Sequence, residues 1–99
     1  MIRQDISIDG YWDLIVCYNV FLGQNNAGFT HTNFSEKLSI VGIGIADSKK
    51  QMLNTIVHEA KHVQSHICKY YNVPEDGEQA AYLIGYIVMK MFKYFKRFL

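Results

Sequence analysis

The spacing of apolar residues changes character midway along this chain. In the first half they come in short runs rich in β-branched and aromatic residues; in the second they recur every three to four positions. Tyr11 to Val20 (YWDLIVCYNV) reads as a strand preceded by an Asp9-Gly10 turn, and Ile6-Ser7-Ile8 as a short strand of its own. Gly23 to Gly28 (GQNNAG) is loop by composition. Phe29 to Asn33 reads as a second strand and Leu38 to Ile45 as a third. In that third strand Val41, Ile43 and Ile45 share one face, while Gly42, Gly44 and Ala46 share the other, a bare surface that another backbone can approach closely.

Asp47-Ser48 supplies an N-cap, after which Met52, Leu53, Ile56, Val57, Ala60, Val63 and Ile67 form a core-facing helical stripe. A second helix is expected after Asn72-Val73-Pro74, with Asp76 as N-cap and Gln79 completing a capping box. Its stripe comprises Ala80, Leu83, Ile84, Ile87, Val88, Met91, Phe95 and Phe98. The expected class is therefore α+β: a small N-terminal antiparallel β-sheet of about three strands, then two long helices.

The 99 residues, 49% of them apolar, suit a single domain spanning 1–99 with one modest core. A net charge of +1 gives no global attraction to nucleic acid, so none is expected as a partner. No basic segment leading into an apolar run and cleavage site opens the chain, and no apolar stretch reaches about 18 residues. A cytoplasmic protein without a transmembrane segment is the expectation. Cys17 and Cys68 form no C-x-x-C pair and read as small hydrophobes, bridged only if their Cα atoms come within about 7 Å.

Candidate chemistry is concentrated in His58-Glu59-Ala60-Lys61-His62, an H-E-x-x-H pentapeptide within the first helix. Histidines four apart on a helix differ by about 40° in direction and about 6 Å along the axis, so both can reach one ion. Glu59 projects from the same side, close enough to take a proton from metal-bound water. Zn²⁺ accepts imidazole nitrogens, keeps a position open for water and lowers that water's pKa to about 7. On a helical wheel His58 and His62 fall nearly opposite the apolar stripe, among Gln51, Thr55 and Ser65, facing a polar cleft. The competing reading is a pair of solvent-exposed histidines.

A third ligand has several candidates. His66 lies about 12 Å beyond His58 along the same axis, too far to share an ion with bonds of about 2 Å. Ser65 and Cys68 stand where the extended H-E-x-x-H-x-x-G-x-x-H pattern requires Gly and His, so that pattern fails. Glu75, Asp76 and Glu78 remain; Asp76 is expected as a cap and Glu78 has Tyr82 one turn later, so Glu78 is selected.

HEAKH followed by Glu78-Gln79-Ala80-Ala81-Tyr82 resembles the gluzincin-type arrangement of small zincin-like proteins of phages and mobile elements. Asn54 to Val57 and Tyr82 to Tyr86 add to the likeness, and His62-x-x-x-His66 is similar to the zinc peptidase domains that cleave phage-type repressors. The resemblance covers about residues 38 to 90 and implies Zn²⁺ held by His58, His62 and Glu78, with Glu59 as general base. To bring Glu78 to His62, the first helix must end early or the second must cross it steeply. Tyr82 is either a donor to the oxyanion or a tyrosine packed between helices. The third strand, just before the metal helix, is where zincins present an edge to an extended peptide.

The expected activity is zinc-dependent peptide hydrolysis on a peptide or protein substrate. A catalytically inactive zincin scaffold that binds a peptide or protein is the alternative, and a closed structural zinc site a third reading. From Tyr86 to Leu99, Lys90, Lys93, Lys96 and Arg97 alternate with apolar residues. A packed helix with a solvated face is preferred there over a membrane-surface helix, and a homodimer could cover its overhanging stripe.

Overall fold

The computed structural model describes residues 2–23 and 27–95, with side chains through Lys93. Four strands, β1 (Ile2–Ile8), β2 (Trp12–Val20), β3 (Gly28–Asn33) and β4 (Leu38–Gly44), precede helices α1 (Lys49–Tyr71) and α2 (Glu78–Phe95). The α+β class holds, but the sheet is four-stranded and mixed rather than antiparallel, in the order β1-β2-β4-β3. β4 enters between its predecessors, pairing parallel with β2 and antiparallel with β3.

Local chemistry explains the turns. Asp9 and Gly10 both take positive φ (49° and 77°), and Tyr11 N–H donates to Ile8 C=O, the tight turn that matches strand twist in a hairpin. Ile6-Ser7-Ile8 is thereby the end of a seven-residue strand rather than a short separate one. Asn19, at φ 58°, sits where the β2–β4 register shifts between Tyr18 and Val20. Asn33 Oδ1 accepts from Ser35 Oγ and Glu36 N–H to start the β3–β4 turn.

One face of the sheet carries Ile6, Ile8, Trp12, Leu14, Val16, Tyr18, Val41 and Ile43, all buried beneath the helices. α1 follows β3 and β4, and α2 follows β1. Gln4 Nε2 donates to Lys90 C=O at 2.8 Å and Tyr18 O–H to Met91 C=O at 3.1 Å, which fix the far end of α2. Its near end is tied to the second half of α1, where buried Gln64 donates to Ala80 C=O. Among the described residues the opposite sheet face bears no helix; Phe29 lies there across Gly42, filling the space a Cβ would occupy. The glycine face of β4 is thus covered by an aromatic ring of its neighbour, not by a distant backbone.

Ser48 caps α1, its Oγ accepting from Gln51 N–H at 3.1 Å, and Asn72 closes it in the left-handed region at φ 57°. α1 does not end early. α2 begins at Glu78, and Gly77 C=O accepts from Ala81 N–H, so Gly77 takes the cap position expected of Asp76. The inward face of α1 is also rolled: Leu53 and Val57 are exposed, while Thr55 and Glu59 are buried. The expected contributions of Lys96, Arg97, Phe98 and the Phe95 side chain lie outside the described residues. No described helix is long and apolar enough to cross a membrane.

Candidate functional site

The roll of α1 sets the site's geometry. A Cβ at Gly28 would meet Thr55 Cγ2 and Glu59 Cγ, so the bare backbone lets α1 approach β3 closely at this point. As α1 proceeds, Glu59 reaches Thr30 and His66 reaches Thr32, two residues farther along β3. The threonines share a face because strand side chains alternate.

His58 and His62 are exposed, with ring centroids 4.9 Å apart and Nε2 atoms 3.2 Å apart. Two nitrogens on one tetrahedral Zn²⁺, each about 2.0–2.1 Å from the ion, stand about 3.3–3.4 Å from one another. The imidazole pair therefore fits two positions of such an ion. Without one, the separation accommodates an N–H···N hydrogen bond between the rings.

Glu59 is only 5% exposed. Thr30 O–H donates to its Oε1 at 2.7 Å, which holds the carboxylate against β3. No donor among the described residues reaches Oε2, and no described buried side-chain oxygen lacks a partner, so Oε2 faces solvent. One oxygen positions the group and the other remains available to a water.

β3 is an edge strand among the described residues. Because Gly44 N–H donates to Ala27 C=O, the antiparallel alternation directs the backbone groups of 29, 31 and 33 toward β4. Those of Gly28, Thr30 and Thr32 point to the free edge. Donors and acceptors for a further strand thus lie directly beside Glu59. The edge expected of Leu38 to Ile45 belongs to Gly28–Asn33, since β4 is enclosed on both sides.

The remaining site candidates are placed differently. Glu78 is exposed at the first position of α2, and among the described residues no group of three His, Cys, Asp or Glu side chains is arranged to hold a metal. Glu75 instead lies against α1, accepting from Ser65 Oγ at 2.5 Å and standing 3.9 Å from Lys61 Nζ. Tyr82, 76% exposed, lines a hollow with Ile8, Asp9 and Tyr11 beside β1. Glu59 faces β3 at the other edge of the sheet, three strand spacings or about 14 Å away. The distance separates Tyr82 from the base because α2 packs over β1 rather than beside β3.

His66 is half-buried, its Nδ1 2.7 Å from Thr32 Oγ1 and its ring centroid 5.6 Å from that of Phe34. Burial pushes its pKa down, reinforced by the charges of His62 and Lys69 and opposed by Glu75. Cys68 is buried and its thiol is pushed up by burial, while Cys17 lies on the uncovered sheet face; both are free.

Thr30, Thr32, Ser39 and Gly28 were not among the candidate functional residues. A signal for two of them exists in Phe29-Thr30-His31-Thr32-Asn33, which has no apolar residue at either core-facing position. Such a strand needs polar partners opposite it. Comparison with known proteins gives no match to a protein-family model, a curated protein or a solved structure.

Proposed function

We propose that this chain is a minimal zincin-like metallopeptidase that hydrolyses an extended peptide. The observation that carries the reading is the convergence of His58 and His62 beside a buried Glu59 held by the edge strand. His58 and His62 would hold Zn²⁺, with Glu78 as the third donor; the bound ion would supply Lewis acidity and an acidified water. The imidazole pair fits this role, whereas Glu78 is not assembled with it among the described residues. Glu59 accepts a proton from water at Oε2 and returns it to the leaving amine, while Thr30 keeps Oε1 fixed. The free N–H and C=O groups of Gly28, Thr30 and Thr32 bind the substrate backbone as an added strand.

A second reading, a zincin scaffold that binds a peptide without cutting it, is favoured by the exposure of both histidines and the unassembled carboxylate. Metal analysis of protein purified without added metal tests the shared foundation. One zinc per chain, lost in His58→Ala, is expected; full retention in that variant would place the metal elsewhere. Peptide cleavage that stops on chelation then separates enzyme from binder.

A further inference from the structure

A chain of hydrogen bonds that starts in the core ends on half-buried His66. Trp12 Nε1, which can only donate, lies 3.1 Å from Ser39 Oγ; Ser39 Oγ lies 2.8 Å from Thr32 Oγ1, and Thr32 Oγ1 lies 2.7 Å from His66 Nδ1. Trp12 and Ser39 are 1% and 0% exposed, so the Ser39 hydroxyl proton needs a protein acceptor. Its acceptor is Thr32 Oγ1, since the tryptophan N–H already occupies the other side of Ser39 Oγ. The Thr32 proton then goes to His66 Nδ1. The 2.7 Å separation agrees with this direction, being typical of an O–H donor and short for an N–H donor, whose usual distance is about 2.9–3.0 Å.

We infer that His66 is a neutral, tautomer-fixed hydrogen-bond donor, with its proton on Nε2, that contacts a carbonyl oxygen of a peptide lying along the free edge of β3. Nε2 has no partner among the described residues, and the ring is tethered to Thr32, whose backbone groups point to that edge. The depressed pKa from burial agrees with a neutral ring. His66 thus becomes a peptide-positioning residue rather than a metal ligand. The contact with peptide rests on the proposed function; the tautomer does not.

Imidazole ¹⁵N spectra of the metal-free protein read the tautomer, with His66→Gln used for assignment. A protonated Nε2 and bare Nδ1 near neutral pH are expected, giving way to exchange-averaged nitrogens in Thr32→Val. Protonated Nδ1 or averaged nitrogens in wild type would overturn the assignment, even if Thr32→Val fails to fold. For the contact, the probe is a peptide selected from a random library by the zinc-loaded Glu59→Gln protein. Adding His66→Ala should weaken it about fivefold to tenfold with zinc affinity unchanged, and His66→Gln, which retains an N–H donor, should recover most of the loss. Equal affinities overturn the contact. Failure to select any peptide overturns the contact and the proposed function together, while the spectra still decide the tautomer.

Discussion

Replacing Gly28 with alanine tests the close approach of α1 to β3 on which the position of Glu59 depends. The added Cβ would lie 2.8 Å from Gly42 O, 2.9 Å from Thr55 Cγ2 and 3.1 Å from Glu59 Cγ. Comfortable carbon contacts are about 3.5–4.0 Å. The carbonyl belongs to the central strand, and Thr55 is held by its hydroxyl, which donates to Gln51 C=O at 3.0 Å. Neither neighbour yields without loss. Overpacking costs about 1–3 kcal/mol, against about 0.4–1 kcal/mol gained from the less flexible unfolded chain, for a net loss of about 1–2 kcal/mol. For this chain length the melting temperature should fall by roughly 5–15 °C. Gly85 is the control: it lies exposed in α2 with nothing within 4 Å of a built Cβ. There alanine should stabilise by about 0.5–1 kcal/mol through helix propensity. Circular-dichroism melts and urea titrations measure both variants. If Gly28→Ala were neutral or as stabilising as Gly85→Ala, α1 would not be seated on β3 as described, and the Thr30–Glu59 contact would lose its support.

In zinc titrations, Glu78→Ala should weaken binding more than His66→Ala, because loss of a ligand outweighs loss of a neighbour; the reverse ranking would remove Glu78 from the proposed ligand set. Under native conditions iodoacetamide should modify Cys17, and spare Cys68, whose 1% exposure and burial-raised pKa suppress its thiolate; mass spectrometry showing equal modification would contradict this placement. His66 has a folded-state pKa below its ordinary 6.5, so folding prefers its neutral form. Its stability contribution is present above pH 6.5 and is lost as pH falls from there through the depressed value. Urea titrations of the metal-free protein should therefore show a shallower acid loss in His66→Gln than in wild type; identical slopes would refute the linkage.

The two helices and the opposition of His58 and His62 to the apolar stripe were legible because periodicity is a local property. Capping at Ser48 was legible for the same reason, whereas the run of α1 to Tyr71 was not, because the sequence reading required an early end or a steep crossing. Strand order was not. Three successive apolar runs suggest a meander, and only the near-continuous apolar character of Leu38-Ser39-Ile40-Val41-Gly42-Ile43 marks β4 as an interior strand. The roll of α1 was equally hidden: a helical wheel ranks Leu53 and Val57 above Thr55 and Glu59 by hydrophobicity. Burial of the latter pair depends on the small backbone at Gly28 and the hydroxyl at Thr30, contributed by a distant segment. Glu78 was selected by elimination among nearby carboxylates, with Tyr82 one turn later, and the resemblance implied the same ligand; neither argument contains information on where α2 crosses the sheet.

The most direct test of the account is turnover by Glu59→Gln. Glutamine preserves the size of the side chain and its carbonyl can still accept from Thr30, but it cannot serve as the base. Zinc-loaded wild type and variant should be compared on the same peptide library, with and without chelator, while zinc content and folding are verified for each. The expected result is chelator-sensitive cleavage by wild type, reduced by roughly 10²–10⁴-fold in Glu59→Gln, with zinc retained. Absence of cleavage by zinc-loaded wild type, or equal cleavage by both proteins, would contradict the enzyme reading.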